Sequence, residues 1–277
     1  MNKHHLEIAP NAGGNYCDDA GWVHVPDVKL ELNPNSNALS NHCSEDPNVI
    51  ASFVVDRKHI TNLMDLTESN VIACYNQILQ TWQFNLDTDL KIYYQIGICL
   101  TNVSNLNLTY INSLSDVNSN IIPSIKCDDA KKSFDAHKDY KYDYVRKECI
   151  GLSIPEGGYL IKEVIDEHEK QHKIHYEQFM SNYKFIWESK ITTFRANCFS
   201  IADIFDARKV GFQMFWDAFF AGEYYFLKFD KDYTRLYGLS PVNEEIKCKY
   251  EQKNNNTKEV QNLIIKYRQK LTEICGN

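Results

Sequence analysis

Residues 159–189 read YLIKEVIDEHEKQHKIHYEQFMSNYKFIWES, and neither glycine nor proline occurs from Tyr159 to Val210. A run of this length without helix breakers predicts a long helix. At about 100° per residue, Ile161, Val164, Ile165, His168, His172, His175, Tyr176, Phe179, Tyr183 and Ile186 fall in one stripe roughly 120° wide. Glu163, Asp166, Glu167, Lys170 and Lys173 occupy the opposite face, assigned to solvent. Three histidines therefore point along the line that packs on the rest of the domain.

Within this helix lies His168-Glu169-Lys170-Gln171-His172, an HExxH sequence. Two histidines four apart on a helix point the same way and can share one Zn²⁺, while the intervening Glu169 can take a proton from a water beside the metal. Such a match arises by chance in roughly 1 chain in 50 of this composition, so its setting decides. A catalytic zinc needs a third protein ligand and an open position. His175 lies seven residues from His168, too far along the helix for one ion to meet all three histidines. Glu177 and Glu188 point to its far side. Glu223 follows the apolar stripe Phe212, Phe215, Trp216, Phe219 and Phe220, and a carboxylate on such a stripe must be paired, protonated or bound to a cation. It is the predicted third ligand, with Asp203, Asp206 and Asp217 as weaker alternatives. Tyr224, Tyr233 and Tyr237 are equal candidates for an oxyanion donor.

Working outward, residues 49–55 and 90–100 read as strands, and 145–154 as an edge strand closed by Pro155-Glu-Gly-Gly158. Asp65-Leu-Thr-Glu68 offers a helix cap, and Val71, Ile72, Tyr75, Ile78 and Leu79 then recur at helical spacing up to Trp82. Residues 102–125 and 127–141 are expected as loop and surface hairpin. Further helices are expected at 194–208, 212–229 and 256–274, and KNNNTK at 253–258 as a surface loop. The fold class is α+β: a small mixed sheet with a backing helix, a long active-site helix and a mostly helical C-terminal half. Residues 1–48, holding four of the seven prolines, are expected as an extended N-terminal segment, possessing short strands at 22–25 and 28–32. Residues 49–230 form the expected catalytic domain and 231–277 a C-terminal helical extension.

The chain has 277 residues, 30 basic and 37 acidic side chains and a net charge of −7, so it offers no basic stripe for nucleic acid. Its most hydrophobic stretch, 212–229, carries Gln213, Asp217, Glu223 and Lys228 and is not a membrane span. The N-terminal sequence lacks the apolar core of a signal peptide, which leaves a soluble protein that is cytoplasmic, or secreted with its leader absent. Nine cysteines include no CxxC pair and leave at least one thiol unpaired; a bridge such as Cys17–Cys43 is allowed but not implied.

In its HExxH and the order of elements over residues 65–230 the chain resembles the zincin metallopeptidases, and with Glu223 it would look most like the glutamate-type subgroup. The run Glu167-His-Glu-Lys-Gln-His-Lys-Ile-His-Tyr176 is also similar to a poorly characterised group of bacterial proteins described as secreted zinc proteases, in which Ile follows the second His by two residues, as Ile174 does. Asp166, Lys170 and Lys173 depart from the uncharged residues usual around the two histidines. The resemblance implies zinc at His168 and His172, Glu169 as general base, and hydrolysis of a peptide or protein substrate by metal-activated water. Two other readings compete with it. One is a non-catalytic α+β binding or structural protein whose HExxH is coincidental or inactive. The other is half of a di-iron bundle site, which lacks the second Glu-x-x-His it needs.

Overall fold

The computed structural model describes residues 14, 16–17, 28–45, 49–55, 67–87, 90–138, 140–150, 154–191, 195–197, 201–217, 233, 235–236 and 243–276. The fold is α+β. Among the described residues the order is β1 (Val28–Leu32), α1 (Ala38–Glu45), β2 (Ala51–Val55), β3 (Val71–Asn76), β4 (Thr81–Leu86), β5 (Leu90–Ile98), α2 (Leu100–Asn105), β6 (Thr109–Ile111), α3 (Cys127–Ala136), β7 (Lys141–Asp143), β8 (Glu148–Ile150), β9 (Tyr159–Ile161), α4 (Lys162–Ile191), β10 (Arg195–Asn197), α5 (Ile204–Trp216), α6 (Glu244–Asn255) and α7 (Lys258–Cys275). The chain divides into two units, each built from separated segments: Met1–Glu31, Arg57–Tyr93 and Phe179–Asp230 in the first, Leu32–Asp56, Tyr94–Gln178 and Lys231–Asn277 in the second. Residues 231–277 thus group with the HExxH sequence, where the sequence reading set them apart as an extension.

In the first unit β3 and β4 form an antiparallel hairpin, with β10 on the other edge of β4. This corrects the backing helix expected up to Trp82. Ile78 and Leu79, which completed its helical spacing, sit in the turn and are exposed. There the Asn76 side chain accepts from both of their backbone N–H groups, and Gln80 takes a positive φ of 51°. What remains is β-branched and aromatic, with Tyr75 opposite a fully buried Trp82. Helix α5 packs on this hairpin at Gly211, where a Cβ would come within 2.7 Å of Phe84 and 2.8 Å of Val71. The helix expected over 194–208 is instead β10 followed by α5, whose start is fixed by Asp203 accepting from the N–H groups of Phe205 and Asp206. Helix α5 ends at Trp216, and the rest of the helix expected over 212–229 lies mostly outside the described residues.

In the second unit β2 pairs antiparallel with β5 along its whole length, from Ala51 opposite Ile98 to Val55 opposite Tyr94. β6 and β9 form a parallel pair, and β7 and β8 a short antiparallel one. The edge strand expected over 145–154 is therefore reduced to β8, and β9 is the strand that runs directly into α4. Residues 127–136, expected as loop, are α3: Cys127, Ala130 and Phe134 recur at 3.6-residue spacing and are buried, while the charges lie between them. They join Ile161 and Val164 with Val260, Ile264, Tyr267 and Leu271 of α7 in one core cluster. The KNNNTK run is no surface loop. It ends α6 and begins α7, with Asn254 and Asn255 buried.

Disulfides join Cys17 to Cys74, Cys43 to Cys99, Cys127 to Cys275 and Cys149 to Cys248. The Cys17–Cys43 pairing does not form, and the ninth cysteine, Cys198, lies outside the described residues.

Candidate metal centre

The entry into α4 is held by a histidine that the sequence reading did not single out. His137, fully buried at the end of α3, accepts from Ile161 N–H at Nε2 (3.1 Å) and bonds the Ser133 carbonyl through Nδ1 (2.8 Å). Ser133 Oγ accepts from Tyr159 N–H, and Asn255 at the end of α6 donates to the His137 carbonyl. One turn of α3 thereby sets the strand leading into α4 and the last turn of α6. Burial pushes the His137 imidazole down to about 4, outweighing its bond to Ser133, so the ring is neutral, as an acceptor at Nε2 must be.

From that entry the predicted stripe faces inward over its first turns, while the side chains of Tyr183 and Ile186 lie outside the described residues. Val164, Ile165, His168 and Tyr176 are buried, and His172 is largely so. His168 and His172 present Nε2 atoms 3.3 Å apart, and one carboxylate oxygen, Glu251 Oε2 from α6, stands 3.0 Å from each. Three ligand atoms at 2.0–2.1 Å from a tetrahedral zinc are about 3.3 Å from one another, so this triangle has the size of one face of a zinc site. Glu169 also lies near, and the donor atoms of His168, Glu169 and His172 fall within 4.8 Å of one another. Its carboxylate is 4.0 Å from His172 Nε2, farther than that of Glu251, which leaves Glu169 beside the triangle rather than in it.

The electrostatics follow from burying two carboxylates with two imidazoles. At His172 burial works downward, but the Glu251 charge and hydrogen bond outweigh it and raise the imidazole to about 9. At Glu251 burial works upward and is overcome by the His172 charge and the bonds from both histidines, which hold the carboxyl far below its ordinary range. Glu169 goes the other way. Burial raises it, and neither the two histidines nor the Phe53 backbone N–H that donates to it fully offsets this.

Aromatic rings enclose the centre. Tyr140 stacks on His168 with centroids 5.2 Å apart, and Tyr250 meets His172 edge-on at 5.0 Å. The hydroxyls of Tyr250 and Tyr233 are 2.9 Å apart, Tyr233 packs on Tyr176, and Tyr176 on Phe53. Burial raises the Tyr140 hydroxyl well above its usual range, and the charges of Glu251 and Glu169 add to that, so it stays a neutral donor. A metal at Nε2 requires His172 to carry its proton on Nδ1. The Asn254 side-chain amide lies 3.0 Å from that atom and its Oδ1 is buried without a partner. Turning the amide over, an orientation set by hydrogen bonding rather than by shape, brings Oδ1 to accept from Nδ1–H. Helix α6 thus brings a carboxylate into the triangle and, three residues on, an amide against His172.

Of the predicted site residues, the structure brings His168, Glu169 and His172 together. Glu223, Tyr224 and Tyr237 lie outside the described residues. Among the weaker ligand candidates, Asp203 caps α5, Asp206 pairs with Lys209 and Asp217 accepts from Gln213. Glu177 pairs with Lys173. His175 packs against the Tyr250 ring, outside the triangle, and Tyr233 is engaged with Tyr250. Glu251 was missed because α6 was missed. Its N-terminal signal is nevertheless visible: Asn243 as cap, accepting from Ile246 N–H, followed by Glu244 and Glu245 in the first turn. Comparison with known protein families, curated proteins and solved structures gives no match to the chain.

Proposed function

We propose that the chain is a zinc-dependent hydrolase of peptide bonds, with His168, His172 and Glu251 as ligands and Glu169 as general base. The observation that carries this reading is the triangle His168 Nε2, His172 Nε2 and Glu251 Oε2, with edges of 3.0, 3.0 and 3.3 Å, standing next to a carboxyl whose basicity is raised. A zinc ion held there supplies Lewis acidity toward a carbonyl oxygen and acidifies water. Glu169 then takes the proton of the attacking water and passes it to the departing amine nitrogen. Burial favours that proton transfer, because it destabilises the carboxylate form. The Phe53 N–H and the aromatic wall keep Glu169 oriented, and the Asn254 amide fixes His172.

A peptide substrate is supported by the strand beside the base. β2 is the end strand of the order β1-β5-β2, and Phe53 at its centre directs its backbone N–H at Glu169. An extended peptide added to that edge would run past the general base. This gives β2 the role first expected of residues 145–154. No described helix is long and apolar enough to cross a membrane, and four disulfides favour an oxidising compartment.

One observation favours a metal-free reading: the same three groups make a buried ion pair in which a protonated His172 neutralises Glu251. Elemental analysis of the purified chain with its Glu169→Gln variant separates the two. One equivalent of zinc in both proteins, with peptidase activity only in the wild type, is expected. Wild type that takes up no zinc after dialysis against it would leave the ion pair as the account.

A further inference from the structure

On the other side of α4 from His168 the second unit contains a cavity of about 860 Å³ between that helix and the face of β5. Its size falls within the ~300–1,000 Å³ of small-molecule sites. Ile96 and Ile98 of β5, Leu100 at the start of α2 and Ile174 of α4 give it an apolar body. Its charged lining is uneven. Lys162 and Asp166 are in contact and cancel. Lys170 and Lys173 line it further along α4, while their partners Glu167 and Glu177 do not. Lys173 also lies over the Tyr94 ring, 5.6 Å from its centre. Ion pairs between neighbours on a helix surface hold each other weakly, so both amines can turn to a ligand.

We propose that this cavity binds a single-chain anionic amphiphile, a long-chain carboxylate, with its head group between Lys170 and Lys173 and its alkyl chain along Ile96, Ile98, Leu100 and Ile174. The apolar walls account for the chain, and the excess of cations selects the sign of the head group. The site needs no metal and does not depend on the hydrolase reading.

Titration calorimetry of the full, disulfide-bonded chain with dodecanoate, dodecylamine and dodecanol, each below its micelle concentration, tests this. One dodecanoate per chain is expected, bound about tenfold or more tightly than the amine or the alcohol, with the same affinity after treatment with a chelator. The paired charge reversal Lys170→Glu with Lys173→Glu should remove the preference for the carboxylate. Ile98→Trp should remove binding by filling the cavity. Leu100→Trp, at an exposed position that folding tolerates, does the same if Ile98→Trp fails to fold. No saturable dodecanoate binding, equal affinity for amine and carboxylate, or binding that survives both the charge reversal and a filled cavity would overturn the proposal.

Discussion

On one face of α4, His168, Glu169 and His172 are buried, and the two histidines meet a carboxylate some eighty residues further along the chain; on the other, Lys162, Asp166, Lys170 and Lys173 are at least partly exposed and pair with residues three or four positions away. Both faces carry ionisable groups in similar density. The difference lies in where the partners come from. Neighbours on a helix find each other whatever the fold and contribute little, because water screens them. Buried groups must be matched by tertiary structure, and a mismatch is costly. The long-range face is therefore where substitution should show.

The largest effect is expected for Glu251→Ala. It removes the proposed third ligand, so zinc should be lost on gel filtration, and it leaves His172 without the Glu251 counter-charge. The metal-free variant should be destabilised by about 3 kcal/mol in urea unfolding. Full zinc content in Glu251→Ala would break the assignment of the triangle.

Acid should act on the same buried side through His137. Its folded value of about 4 lies below the 6.5 of an unfolded histidine, so the unfolded chain binds the proton first. The contribution is complete above pH 6.5 and is lost as the pH falls toward 4, by roughly 3 kcal/mol in all. Urea midpoints at pH 7 and pH 4.5 should converge between wild type and His137→Gln. A gap unchanged by pH would show that His137 does not carry this dependence.

Smaller again is Asn254→Ala. It leaves His168, His172 and Glu251 in place and removes the amide beside His172 Nδ1; if the triangle holds zinc as proposed, a loss of about 10–100-fold in zinc affinity is expected. Competition with a chromophoric chelator measures it, and unchanged affinity would remove Asn254 from the site. At the bottom of the series, Lys170→Ala should shift stability by less than about 0.5 kcal/mol. A drop as large as that of Glu251→Ala would erase the contrast between the two faces.

How far the sequence carried depended on the range of the interactions. The periodicity of α4 placed His168 and His172 inward correctly, because helical spacing is a local property and the segment lacks breakers. The hairpin β3–β4 was misread because Ile78 and Leu79, two turn residues, happened to complete a helical pattern. Helix α3 was hidden by its charge: Asp128, Asp129, Lys131 and Lys132 drew attention from Cys127, Ala130 and Phe134 beneath them. Glu251 and Asn254 sit in a stretch whose polar composition matches an exposed loop, and only their partners on α4 make them interior. A buried polar residue satisfied from afar leaves no periodic trace in its own segment.

The Cys149–Cys248 bridge has a consequence in polymer terms. Along the backbone His172 and Glu251 are roughly 80 residues apart, but through the bridge the path is only about 26, because Cys248 precedes Glu251 by a single turn. Shortening a loop by that ratio lowers the entropic cost of closing it by about 1 kcal/mol. When α6 frays from the centre, its carboxylate stays tethered at high effective concentration to the two imidazoles. Return of the Glu251 carboxylate to the two imidazoles is then a local event, much like the re-closing of a short ring.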